Sequence, residues 1–254
     1  MPIRRAIITG SSSGIGAATA ELLAKQGYAV WLTYTGGEAA GRAVADRCIA
    51  AGAPDVRLSR LDLRSPESID ALVAEVTASW GELHVLVNNG GVCPYTSFED
   101  ITIDDWDAVM ETNGRGTFLL SRATLPLLRL AQQNRSDADR SIINLSSIAG
   151  QVGALKTGMH YAASKGAILA ITRSFARLLA DERIRVNAVT PGPVVSAITD
   201  NLTGQSRASL ESSIPLGKFG EPEDVAWIIA SLAAPEARFV TGATYDVNGG
   251  VRID

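Results

Sequence analysis

Ala6-Ile7-Ile8-Thr9-Gly10-Ser11-Ser12-Ser13-Gly14-Ile15-Gly16-Ala17 is the stretch on which the fold turns. An apolar, β-branched run leads into a glycine-rich turn, and helical periodicity begins straight after it. Glycines there let the chain turn tightly and let the backbone approach an anion, while the opening helix aims its free N–H groups and dipole at that anion. The strand before and the helix after make this a phosphate-binding turn rather than an ordinary loop. Working outward, short β-rich runs alternate with longer helical patterns. Strands are expected at 4–9, 28–34, 56–61, 83–87, 140–145, 183–189 and 243–247. Helices are expected at about 14–26, 38–51, 66–80, 104–130, 160–181 and 221–234. Most strand runs are largely apolar, as a parallel sheet covered on both faces requires. The pattern predicts an α/β fold: one domain over 1–254, a doubly wound, mainly parallel seven-stranded sheet with helices on both faces. The stretch 190–220, rich in Pro, Gly, Ser and Thr, reads as a long irregular substrate loop.

Composition removes several function classes. The chain has 254 residues, 46% of them apolar, with a net charge of −4. That is a globular composition with no basic footprint, so nucleic acid is not an expected partner. No apolar run reaches the length that spans a bilayer, and Met1-Pro2-Ile3-Arg4-Arg5 lacks the apolar region of a secretory signal. Two cysteines, Cys48 and Cys93, and two histidines, His84 and His160, suggest neither a disulfide framework nor a metal site. The expectation is a cytoplasmic protein without metal.

Tyr161-Ala162-Ala163-Ser164-Lys165 carries the chemistry. On a helix, the phenol and the ammonium lie one turn apart on one face. A cation there favours phenolate over phenol and suits the tyrosine to proton transfer with a substrate oxygen. Asp62 ends the third strand, either as an acceptor for an adenine amino group or as a turn acid. Asn88-Asn89-Gly90-Gly91 ends the fourth, at the carboxyl edge where such sheets bind ligands, although these residues are also ordinary turn formers.

Thr9-Gly10-x-x-x-Gly14-Ile15-Gly16, Asn88-Asn89-Gly90-Gly91, Asn113, Ser147, Tyr161-x-x-x-Lys165 and Pro191-Gly192 follow the order and approximate spacing of the short-chain dehydrogenases/reductases. The chain resembles that family over essentially its whole length, and most of all the 3-oxoacyl-[acyl-carrier-protein] reductase branch. It departs at Gly90, where the family usually has alanine, and at Ser196, where a threonine is common. The resemblance implies hydride transfer between NAD(P) and a ketone or secondary alcohol. Tyr161 would be the acid or base, Lys165 would lower its pKa and bind the nicotinamide ribose, Ser147 would hold the substrate oxygen, and Asn113 would hold a water leading to solvent. Ser146 is the adjacent alternative to Ser147, and the family pattern favours the second. Cofactor contacts are expected from Gly10, Ser12, Ser13, Gly14, Ile15, Gly16, Tyr34, Thr35, Asp62, Leu63, Asn89, Gly90, Gly91, Tyr161, Lys165, Pro191, Gly192, Val194 and Ser196. All four catalytic groups are present, which argues against a catalytically retired nucleotide-binding regulator.

Tyr34 stands at the end of the second strand, where an NAD enzyme usually has a carboxylate for the ribose 2′-hydroxyl. The expected cofactor is therefore NADP, with Thr35, Gly36 and Arg42 answering the phosphate and NAD as the alternative. The substrate wall is read as Cys93, Pro94, Tyr95, Gly153, Ala154, Leu155, Met159, His160 and the loop around Val194 to Leu216, suiting a small ketone or an acyl thioester. An acyl carrier protein would need a basic face from Arg122, Arg129, Arg135 and Arg140, which Asp137, Asp139, Asp181 and Glu182 offset. The family resemblance further implies a homotetramer, with Phe118, Leu119, Phe175 and Leu179 either at an interface or in the core.

Overall fold

The computed structural model describes residues 3–134, 139–154, 157–195 and 204–253. Seven strands form one sheet: β1 Arg5–Ile8, β2 Ala29–Tyr34, β3 Val56–Arg60, β4 Val85–Asn88, β5 Arg140–Leu145, β6 Ile184–Pro191 and β7 Thr244–Val247. Their order is β3-β2-β1-β4-β5-β6-β7 and every pairing is parallel. The chain reverses direction across the sheet between β1 and β4, which opens a crevice at the carboxyl ends of those strands.

Helices α1 Gly14–Lys25, α2 Glu38–Ala50, α3 Pro66–Trp80, α4 Ile103–Val109, α5 Gly116–Asn134, α6 Ala149–Val152, α7 Met159–Leu178, α8 Gly204–Ser212 and α9 Pro222–Ala233 complete the fold. Period-two alternation on β1 shows how both faces are covered. Ala6 and Ile8 join Ala20, Leu23, Val44 and Ile229 from α1, α2 and α9 on one side. Ile7 joins Leu72, Val76, Leu120, Leu128 and Phe175 from α3, α5 and α7 on the other. Fully burying such a side chain contributes about 1.5–3 kcal/mol, which is why these strands tolerate so few polar positions.

Three expectations need correction. The single helix expected at 104–130 is α4 and α5 joined by a π-helical segment, Met110–Arg115. The stretch 190–220 is not wholly irregular, because α8 lies within it. Arg140 is no part of a basic face: it is fully buried and donates to the carbonyls of Glu182 and Arg183. Arg129 is also committed, in a two-pronged pair with Glu182 at 2.6 and 2.7 Å. Leu155, Ser196, Arg135 and Asp137 lie outside the described residues. Phe175 and Leu179 are core, whereas Phe118 is half-exposed and stacks on Phe175.

Candidate active site

The glycine-rich turn is built by close packing. Gly10 has φ +62°, and a Cβ there would lie 2.8 Å from the Gly90 Cα. A Cβ on Gly16 would fall 2.4 Å from the Gly10 carbonyl oxygen, so the first turn of α1 can lie against the loop only without a side chain. Thr9 Oγ1 accepts from the Asn89 and Gly90 amides at 3.0 and 2.8 Å, and Asn89 Nδ2 donates to the Thr9 and Gly10 carbonyls. Asn89 thus staples β1 to β4. Ser13 occupies the N-cap of α1 but makes no side-chain capping bond. The first amides of the helix are therefore left to a ligand, as an anion-binding turn demands. These residues fit a dinucleotide pyrophosphate.

Gly90, the departure from the family's alanine, faces Leu63 and Thr9 so closely that a Cβ would sit 3.2 Å from each. Asp62 Oδ1 accepts from the Arg64 amide at 2.9 Å, which is the turn role. Tyr34 ends β2 opposite Arg60 of β3. The Thr35 hydroxyl is committed to the Leu61 carbonyl at 2.9 Å, and Arg42 pairs with Glu38. Arg60, which donates to the Thr35 carbonyl, is a cation beside Tyr34 that the sequence reading did not single out. At the far side, Gly192 donates to Val247 and packs against Asn248, where a Cβ would come within 2.7 Å of its Cα. Val194 is bridged to Gly220, which ties the start of the 190–220 stretch to the N-terminal approach of α9.

Tyr161 and Lys165 lie in α7, one turn apart. The ammonium sits 5.7 Å from the centre of the tyrosine ring and donates to the Leu145 carbonyl at 2.7 Å. Ser147, at the end of β5, hydrogen-bonds the Tyr161 hydroxyl, while the Ser146 hydroxyl donates to the Lys165 carbonyl at 2.8 Å. The two serines are thus separated: one faces the phenol and one is tied to the helix backbone. Behind them α6 meets α7 backbone to backbone, and a Cβ on Gly150 would fall 2.6 Å from the Lys165 carbonyl carbon. Pro94 accepts from the Gly158 amide at 3.0 Å, and Gly153 turns with φ +89°.

Asn113 lies in the π-helical segment and is fully buried. Its Oδ1 accepts from the Val92 amide, and its Nδ2 donates to the Val92 carbonyl and the Ser164 hydroxyl, all at 2.9 Å. Gly91 lies against it, and a Cβ there would be 2.8 Å from that Oδ1 and 3.7 Å from Lys165 Nζ. Below the site, Asn88 Nδ2 donates to Ser121 and Asn144, and Asn144 donates to Thr172. This buried polar chain ties β4 and β5 to α5 and α7.

Burial acts on both groups of the pair. Burial pushes the Tyr161 phenol above its ordinary range, with Cys93 beside it adding to the effect and the Ser147 hydrogen bond opposing it. Lys165 is itself drawn down to about 8 by burial. Burial thus works against charge on both groups.

A parallel crevice with an uncapped, glycine-lined helix start on one side and a serine, a tyrosine and a lysine on the other is the architecture of a dinucleotide-dependent oxidoreductase. The profile described as enoyl-(acyl carrier protein) reductase matches residues 10–252. A 3-oxoacyl-[acyl-carrier-protein] reductase of Staphylococcus aureus is 37% identical over 250 residues, 98% of each chain. One from Vibrio cholerae is 35% identical over 97% of this chain and 96% of its own. A crystal structure of a short-chain dehydrogenase/reductase from Burkholderia xenovorans superimposes with a TM-score of 0.88 at 31% identity, covering 99% of this chain and 98% of that one. The chain belongs to the short-chain dehydrogenase/reductase family and is an oxidoreductase of carbonyl and CH–OH groups.

Proposed function

We propose that the protein reduces a ketone of moderate size, of the 3-oxoacyl type, with NADPH. The observation that carries this reading is the convergence of Ser147, Tyr161 and Lys165 at the carboxyl edge of the sheet, across the crevice from the open start of α1. The nicotinamide, when bound, supplies the hydride. The turn from Gly10 to Gly16 would hold the pyrophosphate, Asp62 and Leu63 the adenine side, and Pro191, Gly192 and Val194 the nicotinamide side. Arg60 and Arg42 would face the 2′-phosphate around Tyr34, two guanidinium groups against the single carboxylate of Glu38.

At the reacting centre Ser147 donates a hydrogen bond to the carbonyl oxygen, where negative charge develops. Tyr161 gives that oxygen its proton. Its burial keeps the phenol protonated, and the Ser147 hydrogen bond works against that push. The phenolate left behind faces Lys165. The ammonium, held over the tyrosine ring by the Leu145 carbonyl, stabilises that buried anion by charge attraction. Lys165 therefore acts after proton release more than before it. Asn113, its side-chain amide clamped by Val92 and Ser164, would hold a water on the route from Lys165 to solvent.

Replacing Tyr161 by Phe removes the transferable proton and should abolish ketone reduction while leaving NADPH affinity, read by fluorescence titration, within a few-fold. A Phe variant reducing ketones at the wild-type rate would refute the assignment. A homotetramer fits the same reading, because Trp227, Phe239 and Ile253 are exposed near α9 and the C-terminal end. Sedimentation equilibrium tests it.

A further inference from the structure

Asp246 of β7 gathers donors from three parts of the chain. It lies opposite Thr190 of β6, and its Oδ1 accepts from the Thr190 hydroxyl and from Gln151 Nε2 of α6, the latter at 2.8 Å. Its Oδ2 accepts from Arg252 Nη1 at 2.8 Å, and the two side chains of that pair are only 23% and 25% exposed. An ionised carboxylate accepts and never donates, so each of the three partners must bring a proton to it.

The Gln151 bond matters because α6 carries the serine. The Ala149 amide, in the first turn of α6, donates to Ser147 Oγ at 3.1 Å, which leaves the serine its own proton for the Tyr161 hydroxyl or a substrate oxygen. On one side α6 is stopped by α7, where the space beside Gly150 is already filled by the Lys165 carbonyl. On the other, the Ile148 amide donates to the Pro191 carbonyl at 3.0 Å, and Gln151 reaches across to Asp246. Gln151 Oε1 is covered and has no partner, so the bond to Asp246 is what sets the side chain. Thr190 stands directly before Pro191 and Gly192, and Gly192 packs on Asn248. One carboxylate thus ties the helix behind Ser147 and the nicotinamide side to the same edge strand.

We propose that Asp246 is a positioning residue for the reaction, keeping Ser147 in place against the nicotinamide side through its bond to Gln151. The inference rests on the carbonyl-reductase reading and deepens it, since it places a control of the serine outside the reacting centre.

The test turns the contact from attraction to repulsion and then repairs it. Gln151→Glu sets two carboxylates face to face, and the bond is lost whether they repel in place or the new side chain swings out. The kcat for ketone reduction, counted per NADPH-binding site, should fall by about tenfold, a part of what a misplacement of about 1 Å can cost. NADPH affinity, read by fluorescence, should stay within a few-fold. Adding Asp246→Asn supplies an amide nitrogen with one proton for the new carboxylate and one for the Thr190 oxygen. Thr190 then donates to the Tyr245 carbonyl, which its hydroxyl already reaches at 3.1 Å, and the amide oxygen still accepts from Arg252. The double variant should therefore recover most of the lost kcat. A bond that only stabilises the fold would lower the urea midpoint of Gln151→Glu and leave kcat per site unchanged. That result, or a double variant no faster than Gln151→Glu, overturns the proposal while the reductase reading stands. If Gln151→Glu does not fold, Gln151→Met, of similar length and without a donor, takes its place: kcat should fall several-fold, and an unchanged kcat overturns the proposal. Failure of the wild type to reduce any ketone would instead sink the reductase reading and the positioning role with it.

Discussion

Gly150→Ala places a methyl group where the structure has only backbone to receive it. The added Cβ would sit 2.6 Å from the Lys165 carbonyl carbon, 2.8 Å from the Gly166 amide nitrogen and 2.8 Å from the Lys165 carbonyl oxygen. Carbon atoms pack at about 3.5–4.0 Å, so α6 must retreat from α7 by roughly 1 Å. None of the three atoms belongs to a side chain that could rotate away. Because α6 follows Ser147 directly and α7 carries Tyr161 and Lys165, the retreat separates the serine from the tyrosine. Overpacking of this kind costs about 1–3 kcal/mol of stability. A misplacement of about 1 Å at a reacting centre can lower turnover about a hundredfold. The assay is kcat/KM for ketone reduction, with NADPH affinity by fluorescence and stability by urea unfolding on the same samples. Gly166→Ala is the control, because its Cβ meets only the Gly150 carbonyl oxygen, at an ordinary 3.4 Å. It should keep most activity. If Gly150→Ala is as active as Gly166→Ala, the packing of α6 on α7 does not position Ser147.

Three further outcomes follow from the structure. Arg185 donates to both oxygens of Asp139 at 2.8 and 2.7 Å, and both side chains are largely buried; Asp139→Asn should cost about 3–5 kcal/mol in urea unfolding, and a loss below about 1 kcal/mol would mean that the pair is solvated. Burial brings Lys165 from 10.5 to about 8, so across that interval the unfolded chain holds more protons and stability should rise with pH. The Lys165 share of the slope is at most about 1.4 kcal/mol per pH unit and is read as the difference between wild type and Lys165→Met; equal slopes in the two proteins would refute the buried ammonium. Arg60→Ala should raise KM for NADPH about tenfold, the worth of one hydrogen bond to a charged group, and leave KM for NADH nearly unchanged; equal effects on both cofactors would place the 2′-phosphate elsewhere.

Local sequence carried the strands because most of them are largely apolar and bounded by turn residues, and all seven lie within a few residues of the expected limits. The failures have physical causes. Met110–Arg115 is mostly polar and lies between two helical patterns, so nothing in its residue types marks the extra residue of a π turn. The α8 stretch is polar and has no periodic face, so it reads as loop. At the site, the residues close in sequence were the readable ones: Tyr161 with Lys165, and Gly10 with Gly14 and Gly16. Ser147 and Asn113 came only through the family resemblance, and specific pairings across the fold were not legible. Arg60 comes beside Tyr34 through the register of β2 on β3. Cys93 meets the Tyr161 hydroxyl from a different element. The burial of Lys165 was not legible either, since burial is a property of the packed chain and not of the four-residue spacing.

The π-helical segment also limits how this protein can vary in length. A helix advances about 100° per residue, so its one wide turn sets the rotational phase of all of α5 relative to α4. Deleting a single residue between Met110 and Arg115 would restore regular winding and swing Asn113 away from the Val92 backbone that it clamps from both sides. Natural insertions and deletions should therefore accumulate in the outer connections and avoid these six positions.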